Sequence, residues 1–373
     1  MQLNKILFLS FSFIVFTAEA QDLGALCVLD GSIEESSGLI FLDGRTVTHN
    51  DSGGGAILFE VDQQTCDVTR QVAIANATNR DWEDIEQDGT YIYIGDIGNN
   101  NGNRKDLKIY RISISDYLDG NDSATAEVIE FSYEDQTDFT SANMNTNFDA
   151  EALIAYEGFL YIFTKNWIDG RTHIYRLPKD PGTHSAVRID EFNSEGLVTG
   201  ATYNSTSDRV ILVGYSGISP FLTQLSGFSN GIFSNGSIIR TDLDVPAGIS
   251  VQIEAVAFEN GTRHLLTSES NFLGDAGMMD ISLSTLSVED VSNLETLIYP
   301  NPAREKLWIA VDPPLKRVEI YDYNGRFLLE KKVNSDSVSW DDLPKGNYLR
   351  RVSYESGETV RTLIRASTWD VRD

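Results

Sequence analysis

The chain has 373 residues, with 56 Asp and Glu against 29 Lys and Arg and a net charge of −27. That charge repels nucleic acid and anionic membrane surfaces, which excludes both as partners and leaves cations, basic proteins and neutral glycans. Residues 297–373 hold 13 basic and 12 acidic side chains, a balance of +1, so all of the net negative charge, −28, lies before them, and the length accommodates two modules with different surroundings.

Residues 1–20 read as a signal peptide: Lys5 gives the positive start, Ile6 to Phe16 the short apolar core, and Ala18-Glu19-Ala20 the cleavage site. The apolar run is too short to span a bilayer and no second one follows, so no transmembrane anchor is expected. Cys27 lies well past the expected cut at Gln21, which argues against lipid attachment. Cys27 and Cys66 are the two cysteines; in an oxidising compartment they form a candidate disulfide clipping the N-terminal strand to the first repeat, with two buried thiols as the alternative. Two cysteines and four scattered histidines do not suggest a zinc site.

From residue 21 to about 280 the pattern is all-β, with short runs rich in Val, Ile, Tyr and Phe between Gly, Asn, Asp and Ser. The runs repeat. First halves read Ser37-Gly38-Leu39, Glu83-Asp84-Ile85, Glu151-Ala152-Leu153, Gly200-Ala201-Thr202 and Glu254-Ala255-Val256, at intervals of 46, 68, 49 and 54 residues. Second halves are strands ending in polar residues, such as Thr48-His49-Asn50-Asp51, Ile94-Gly95-Asp96 and Phe163-Thr164-Lys165. Repeats of three or four strands at this spacing predict a β-propeller, because one such sheet cannot bury both of its faces alone. Five blades are recognisable, and the 68-residue interval has room for a degenerate sixth around Val128 to Tyr133. Ala25 to Ile33 is the candidate to complete the last blade and close the ring.

Residues 281–296 lack aromatic side chains and read as a linker. Residues 297–373 change signature: Tyr299-Pro300-Asn301-Pro302, then Ile320-Tyr321-Asp322-Tyr323-Asn324-Gly325-Arg326, then Leu343-Pro344-Lys345-Gly346-Asn347-Tyr348, then a final basic and aliphatic strand, Val360 to Arg365. Alternating strands with Asn-Gly and Lys-Gly-Asn turns predict a small all-β sandwich. In motif order and terminal position this block resembles the C-terminal sorting domain of proteins exported by the Bacteroidetes type IX secretion system. The resemblance implies contact with that machinery, passage across the outer membrane, and a secreted or surface-displayed product. The tail Ser367 to Asp373 extends beyond the usual basic ending. More loosely, Ser37 to Leu39, Thr48 to Gly53, Asp81 to Ile85, Tyr93 to Asn99, Arg104 and Ile109 to Arg111 resemble a group of uncharacterised secreted propellers near phytase-like and esterase-like ones. That resemblance implies fold and carries no catalytic residues.

In a propeller, first strands line the channel and second strands return to the same rim. The residues expected to converge there are His49, Asn50, Asp51, Asp81, Glu83, Asp96, Asn99, Asp149, Glu151, Lys165, Glu254 and Glu269. Gathered carboxylates repel, and Ca²⁺, which takes oxygen ligands, is the expected cofactor, with Asp81, Glu83, Asp96, Glu151 and Glu254 as candidate ligands. Asp and Asn at strand ends also cap turns, which is the plainer role for the same residues. Trp82 and Trp167 are placed to stack on a sugar or to pack between blades. The expected function is an exported propeller that binds a small-molecule or glycan ligand, with Ca²⁺, at an acidic channel mouth. A Ca²⁺-dependent phosphoester or carboxylic-ester hydrolase and a structural or adhesion protein are the alternatives.

Overall fold

A computed structural model of the chain describes residues 21–283 and, toward the C-terminus, seven strands between Ile298 and Arg365. The expected signal peptide and most of the expected linker lie outside the described residues. The chain divides into two compact units, one of them Ala20–Thr285 and the other holding the C-terminal strands.

The first unit is a ring of five antiparallel blades. Blade 1 is Ser36–Leu42, Arg45–Asn50, Ile57–Val61 and Val68–Ile74; blade 2 is Trp82–Gln87, Tyr91–Asp96, Lys108–Ser113 and Glu127–Tyr133. Blade 3 is Ala150–Tyr156, Phe159–Thr164, Thr172–Pro178 and Gly182–Phe192, and blade 4 is Leu197–Asn204, Arg209–Ser216, Ser219–Ser226 and Ser237–Asp244. Blade 5 takes Ile253–Asn260, Arg263–Ser268 and Gly277–Ser282 from the end of the unit. Its outer strand is Gly24–Val28, antiparallel to Gly277–Ser282, so the N-terminus closes the ring as expected. The run Val128 to Tyr133 forms the outer strand of blade 2, not a sixth blade. Two-residue turns at positive φ, Asp43-Gly44 and Glu157-Gly158, join the first two strands of blades 1 and 3, the geometry a tight hairpin of twisted strands demands.

The core is divided among the seams. Trp82, Ile85 and Tyr110 of blade 2 meet Ile40, Val47 and Leu58 of blade 1, and Tyr156, Tyr161, Phe163 and Phe233 pack the seam between blades 3 and 4. First strands pack neighbour to neighbour around the axis, blade 5 against blade 1 included. The outer edges are strapped in parallel pairs: Gln21–Asp22 on blade 4, Ser123–Ala124 on blade 1, and Glu127–Tyr133 against the outer strand of blade 3. The seam between blades 5 and 1 carries the Cys27–Cys66 disulfide, with Cα atoms 5.7 Å apart.

The C-terminal strands form two antiparallel sheets. One pairs Lys306–Ile309 with Ile298–Tyr299 and Ser337–Ser339; the other runs Phe327–Lys332, Arg317–Tyr321, Gly346–Ser353, Glu358–Arg365.

The disulfide closes 39 residues of chain, and the loop entropy it removes from the unfolded state is worth about 2–4 kcal/mol. Cys27→Ser should therefore lower the melting temperature of the oxidised protein by several degrees and abolish its sensitivity to reductant. Equal melting temperatures for the two proteins would show that the seam does not depend on the bridge.

Candidate functional site

Every first strand carries a register shift at the same height. The shifts fall between Ser36 and Gly38, Trp82 and Asp84, Ala150 and Ala152, Val198 and Gly200, and Ile253 and Ala255. The extra residues are therefore Ser37, Glu83, Glu151, Thr199 and Glu254. A bulge re-aims a side chain and increases local twist. In blades 2, 3 and 5 the re-aimed residue is a buried glutamate, 4, 4 and 5% exposed. In blades 1 and 4 it is a hydroxyl that donates to backbone of the next blade, Ser37 Oγ to the Glu83 carbonyl at 2.6 Å and Thr199 Oγ1 to the Ile253 carbonyl at 2.7 Å. Blade 4 therefore aligns on Thr199, one residue earlier than the sequence repeat placed it.

A second ring sits just above. Four hairpins close by equivalent amide bonds: Asp51 to the Glu35 carbonyl, Gly98 to Asp81, Lys165 to Asp149 and Glu269 to Gln252, at 2.9–3.2 Å. Asp51, Lys165 and Glu269 thus occupy one position on blades 1, 3 and 5, and blade 2 has glycine there. That glycine matters because a Cβ on Gly98 would collide with Glu83 Oε1 and Asp81 Oδ2. The two carboxylates fill the space a side chain would take.

Two cations answer this acid. Lys165 Nζ lies 2.7 and 2.6 Å from the two oxygens of Glu151, and over the rings of Trp167 and Tyr215 at 5.2 and 5.4 Å. Burial works against its charge, but Glu151 and Glu254 overcome this and hold its pKa well above the usual value. Arg104 binds Asp96 Oδ1 at 2.7 Å and the Gly98 carbonyl at 2.7 Å, with Asp81 at 3.9 Å. Asp96 is thereby committed to Arg104. What remains is Asp51, Asp81 and Glu83, whose ligand oxygens lie within 4.8 Å of one another. Glu83 makes no side-chain hydrogen bond or ion pair among the described residues, and Asp51 Oδ1 is buried without a partner. Burial, then the charge of Asp81, pushes Asp51 up to about 7; burial, then Glu151, pushes Glu83 well above the carboxylate range. Asp81 rises to about 6 by burial, with Arg104 pulling the other way. Glu151 rises to about 8, and Glu254 well above the usual value, both mainly by burial.

The other expected rim residues divide. Asp149 is fully buried and accepts from the Asn99 amide at 2.6 Å and Trp167 Nε1 at 2.8 Å. Asn99 also donates Nδ2 to the Phe148 carbonyl, so it ties the blade 2 loop to blade 3. Asn50 caps the chain before blade 1, donating to the Ser32 carbonyl at 2.8 Å. Glu269 accepts from Gln252. His49 leaves the mouth: it is fully buried, edge-on to Trp82 at 5.5 Å, and burial drops its pKa to about 4. Trp82 is core, and Trp167 stays at the rim.

Three residues went unmarked in the sequence as site residues. Gly98 and Arg104 matter through three-dimensional approach, which no repeat signal records. Asp84 had a signal. It stands where the other blades have Gly38, Ala152, Gly200 and Ala255, and those small residues leave room at the axis. Its carboxylate accepts amides of Ile85, Leu153 and Ala201 at 2.9, 2.8 and 3.2 Å, joining blades 2, 3 and 4 and plugging the channel below the mouth.

Residues 297–366 match the family model of the secretion system C-terminal sorting domain. That segment marks the chain for export by the type IX machinery to the cell surface or the medium. No curated protein matches the chain. Similar solved structures include the PQQ-bound aldose sugar dehydrogenase of Streptomyces coelicolor, at 11% identity and TM-score 0.40, covering 70% of this chain and 98% of that one. The surface component PorZ of the Porphyromonas gingivalis type-IX secretion system is similar at 14% identity and TM-score 0.31, over 88% of this chain and 45% of that one. The β-propeller domain of Cps50 (Swd1) from Myceliophteria thermophila is similar at 9% identity and TM-score 0.37, over 70% of this chain and 100% of that one. At these values none bears on ligand or activity. Among the described residues no helix is long and apolar enough to cross a membrane.

Folded-state pKa values raised above the unfolded ones favour folding at low pH and lose that contribution as pH rises through them. For Asp51 and Glu151 the loss builds above the ordinary carboxylate range and is completed as pH passes through about 7 and about 8. Between about pH 7 and 8.5, where His49 is neutral in the folded state and nearly so in the unfolded one, the protein in EDTA should lose melting temperature as pH rises. A flat profile over that range would mean that these carboxylates are not held together in solution.

Proposed function

We propose that the exported propeller is a Ca²⁺-dependent ligand-binding module whose cation sits between Asp51, Asp81 and Glu83. The observation that supports this most is the unpartnered Glu83 carboxylate, packed with Asp81 against a glycine that makes room for both. The donor set is oxygen only, and its spacing of up to 4.8 Å suits ligands about 2.3–2.6 Å from one shared Ca²⁺. Three protein ligands leave coordination positions for oxygens of a small molecule or glycan, with Trp167 beside them as an apolar wall.

The same charge pattern favours binding over phosphoester hydrolysis. Asp149, Glu151, Glu254 and Glu269 surround the triad, and Lys165 and Arg104 are already engaged with Glu151 and Asp96. One Ca²⁺ leaves the mouth negative, which opposes an anionic substrate. Neutral, oxygen-rich ligands face no such barrier.

Ca²⁺ at a hundred times its dissociation constant should stabilise the folded protein by about 2.7 kcal/mol, read as a rise in melting temperature over EDTA-treated protein. Glu83→Gln keeps the shape, removes the charge, and should reduce that rise to near zero. An unchanged melting temperature on adding Ca²⁺ to the parent protein would remove the metal from the account.

A further inference from the structure

The opposite end of the channel holds a cavity of about 620 Å³, within the range of small-molecule sites. It is separate from the acidic mouth. The first strand of blade 2 has Glu83 at the mouth and Glu86 and Gln87 at the cavity, with Asp84 plugging the axis between them. Four blades bring an aromatic ring to its wall: Phe41 from blade 1, Tyr156 from blade 3, Tyr203 from blade 4 and Phe258 from blade 5. Blade 2 faces these rings with Glu86 and Asp88.

The state of the charges selects the ligand. Asp88 is paired with Lys179 at 2.8 Å, and Asp208 accepts from the Tyr203 hydroxyl at 2.8 Å. Glu259 is held by Arg263 at 2.5 Å and Gln63 at 3.0 Å. Glu86 is 5% exposed and accepts the amides of Gln87 at 2.8 Å and Tyr203 at 3.2 Å. A cationic ligand would find four of the five acids of the wall already partnered and only the exposed Glu157 open, and an anionic one would meet all five with one lysine. What the wall still offers is ring faces, together with carboxylate acceptors and the Lys179 donor. That combination suits a compact neutral polyol, in which apolar ring faces alternate with hydroxyls. We propose that this basal cavity is a second, metal-independent site for a neutral mono- or disaccharide, stacked on Phe41, Tyr203 and Phe258 and hydrogen-bonded by Glu86, Glu157 and Lys179.

The test is saturation-transfer NMR on the full chain in EDTA, with cellobiose, maltose and N,N′-diacetylchitobiose as probes and spermidine as the cationic contrast. At least one disaccharide should show transfer without metal, and spermidine none. Phe258→Ala and Phe41→Ala remove half-buried rings and should each weaken the interaction about tenfold. Ser205→Trp, at an exposed residue of the cavity wall, should block it without touching the core. Silence from all three disaccharides, transfer that survives Ser205→Trp, or binding of spermidine alone would each overturn the proposal. Because EDTA is present throughout, a failure here is distinct from a failure of the Ca²⁺ site.

Discussion

A strand of strict period two sends alternate side chains to opposite faces, so the residue before a blade's axial position would point into a seam. The bulges at Glu83, Glu151 and Glu254 break that rule at one height, and three buried carboxylates turn into one mouth as a result. Two carboxylates about 5 Å apart at an effective dielectric near 20 repel by roughly 3 kcal/mol, so the arrangement needs compensation built into it. Part of it is visible. Lys165 grips Glu151, Arg104 grips Asp96, and the bulged positions of blades 1 and 4 are hydroxyls rather than acids. Among the described residues Asp51 and Glu83 are left without an ion-pair partner, and Asp81 has only a share of Arg104, at 3.9 Å.

That residue of uncompensated acid persists because the ring around it is rigid. Asp84 spends both carboxylate oxygens on the amides of three blades, and it has room because its counterparts are glycine or alanine. Inner-edge amides would otherwise lack partners inside the fold. The seams carry separate apolar clusters, the outer edges are strapped, and the last seam is bridged by Cys27–Cys66. A mouth held this firmly cannot relax its repulsion by spreading, which is why a bound cation or bound protons must do so instead.

Much of this was legible in the chain itself. The interval between repeats and the alternation within them identified the propeller, and an unpaired β run before the first repeat foretold ring closure. The YPNP and Asn-Gly motifs identified the sorting domain, because turn chemistry is local and survives in sequence. What failed was register. A bulge adds one residue without changing composition, so Gly200 was aligned where Thr199 belongs. His49 ends a second strand as the rim pattern requires, yet its ring turns into the seam beside Trp82. Gly98 and Arg104 act through contacts between a loop and a neighbouring strand, and nothing in their own surroundings announces this. Asp84 could have been found by asking which repeat breaks the column of small residues.

The most direct test of the cation site is a crystal of the propeller unit grown with Ca²⁺ and measured for anomalous scattering. The account predicts a peak between Asp51, Asp81 and Glu83, with oxygens at about 2.3–2.6 Å. Well-ordered carboxylates with only water between them, at saturating Ca²⁺, would contradict it.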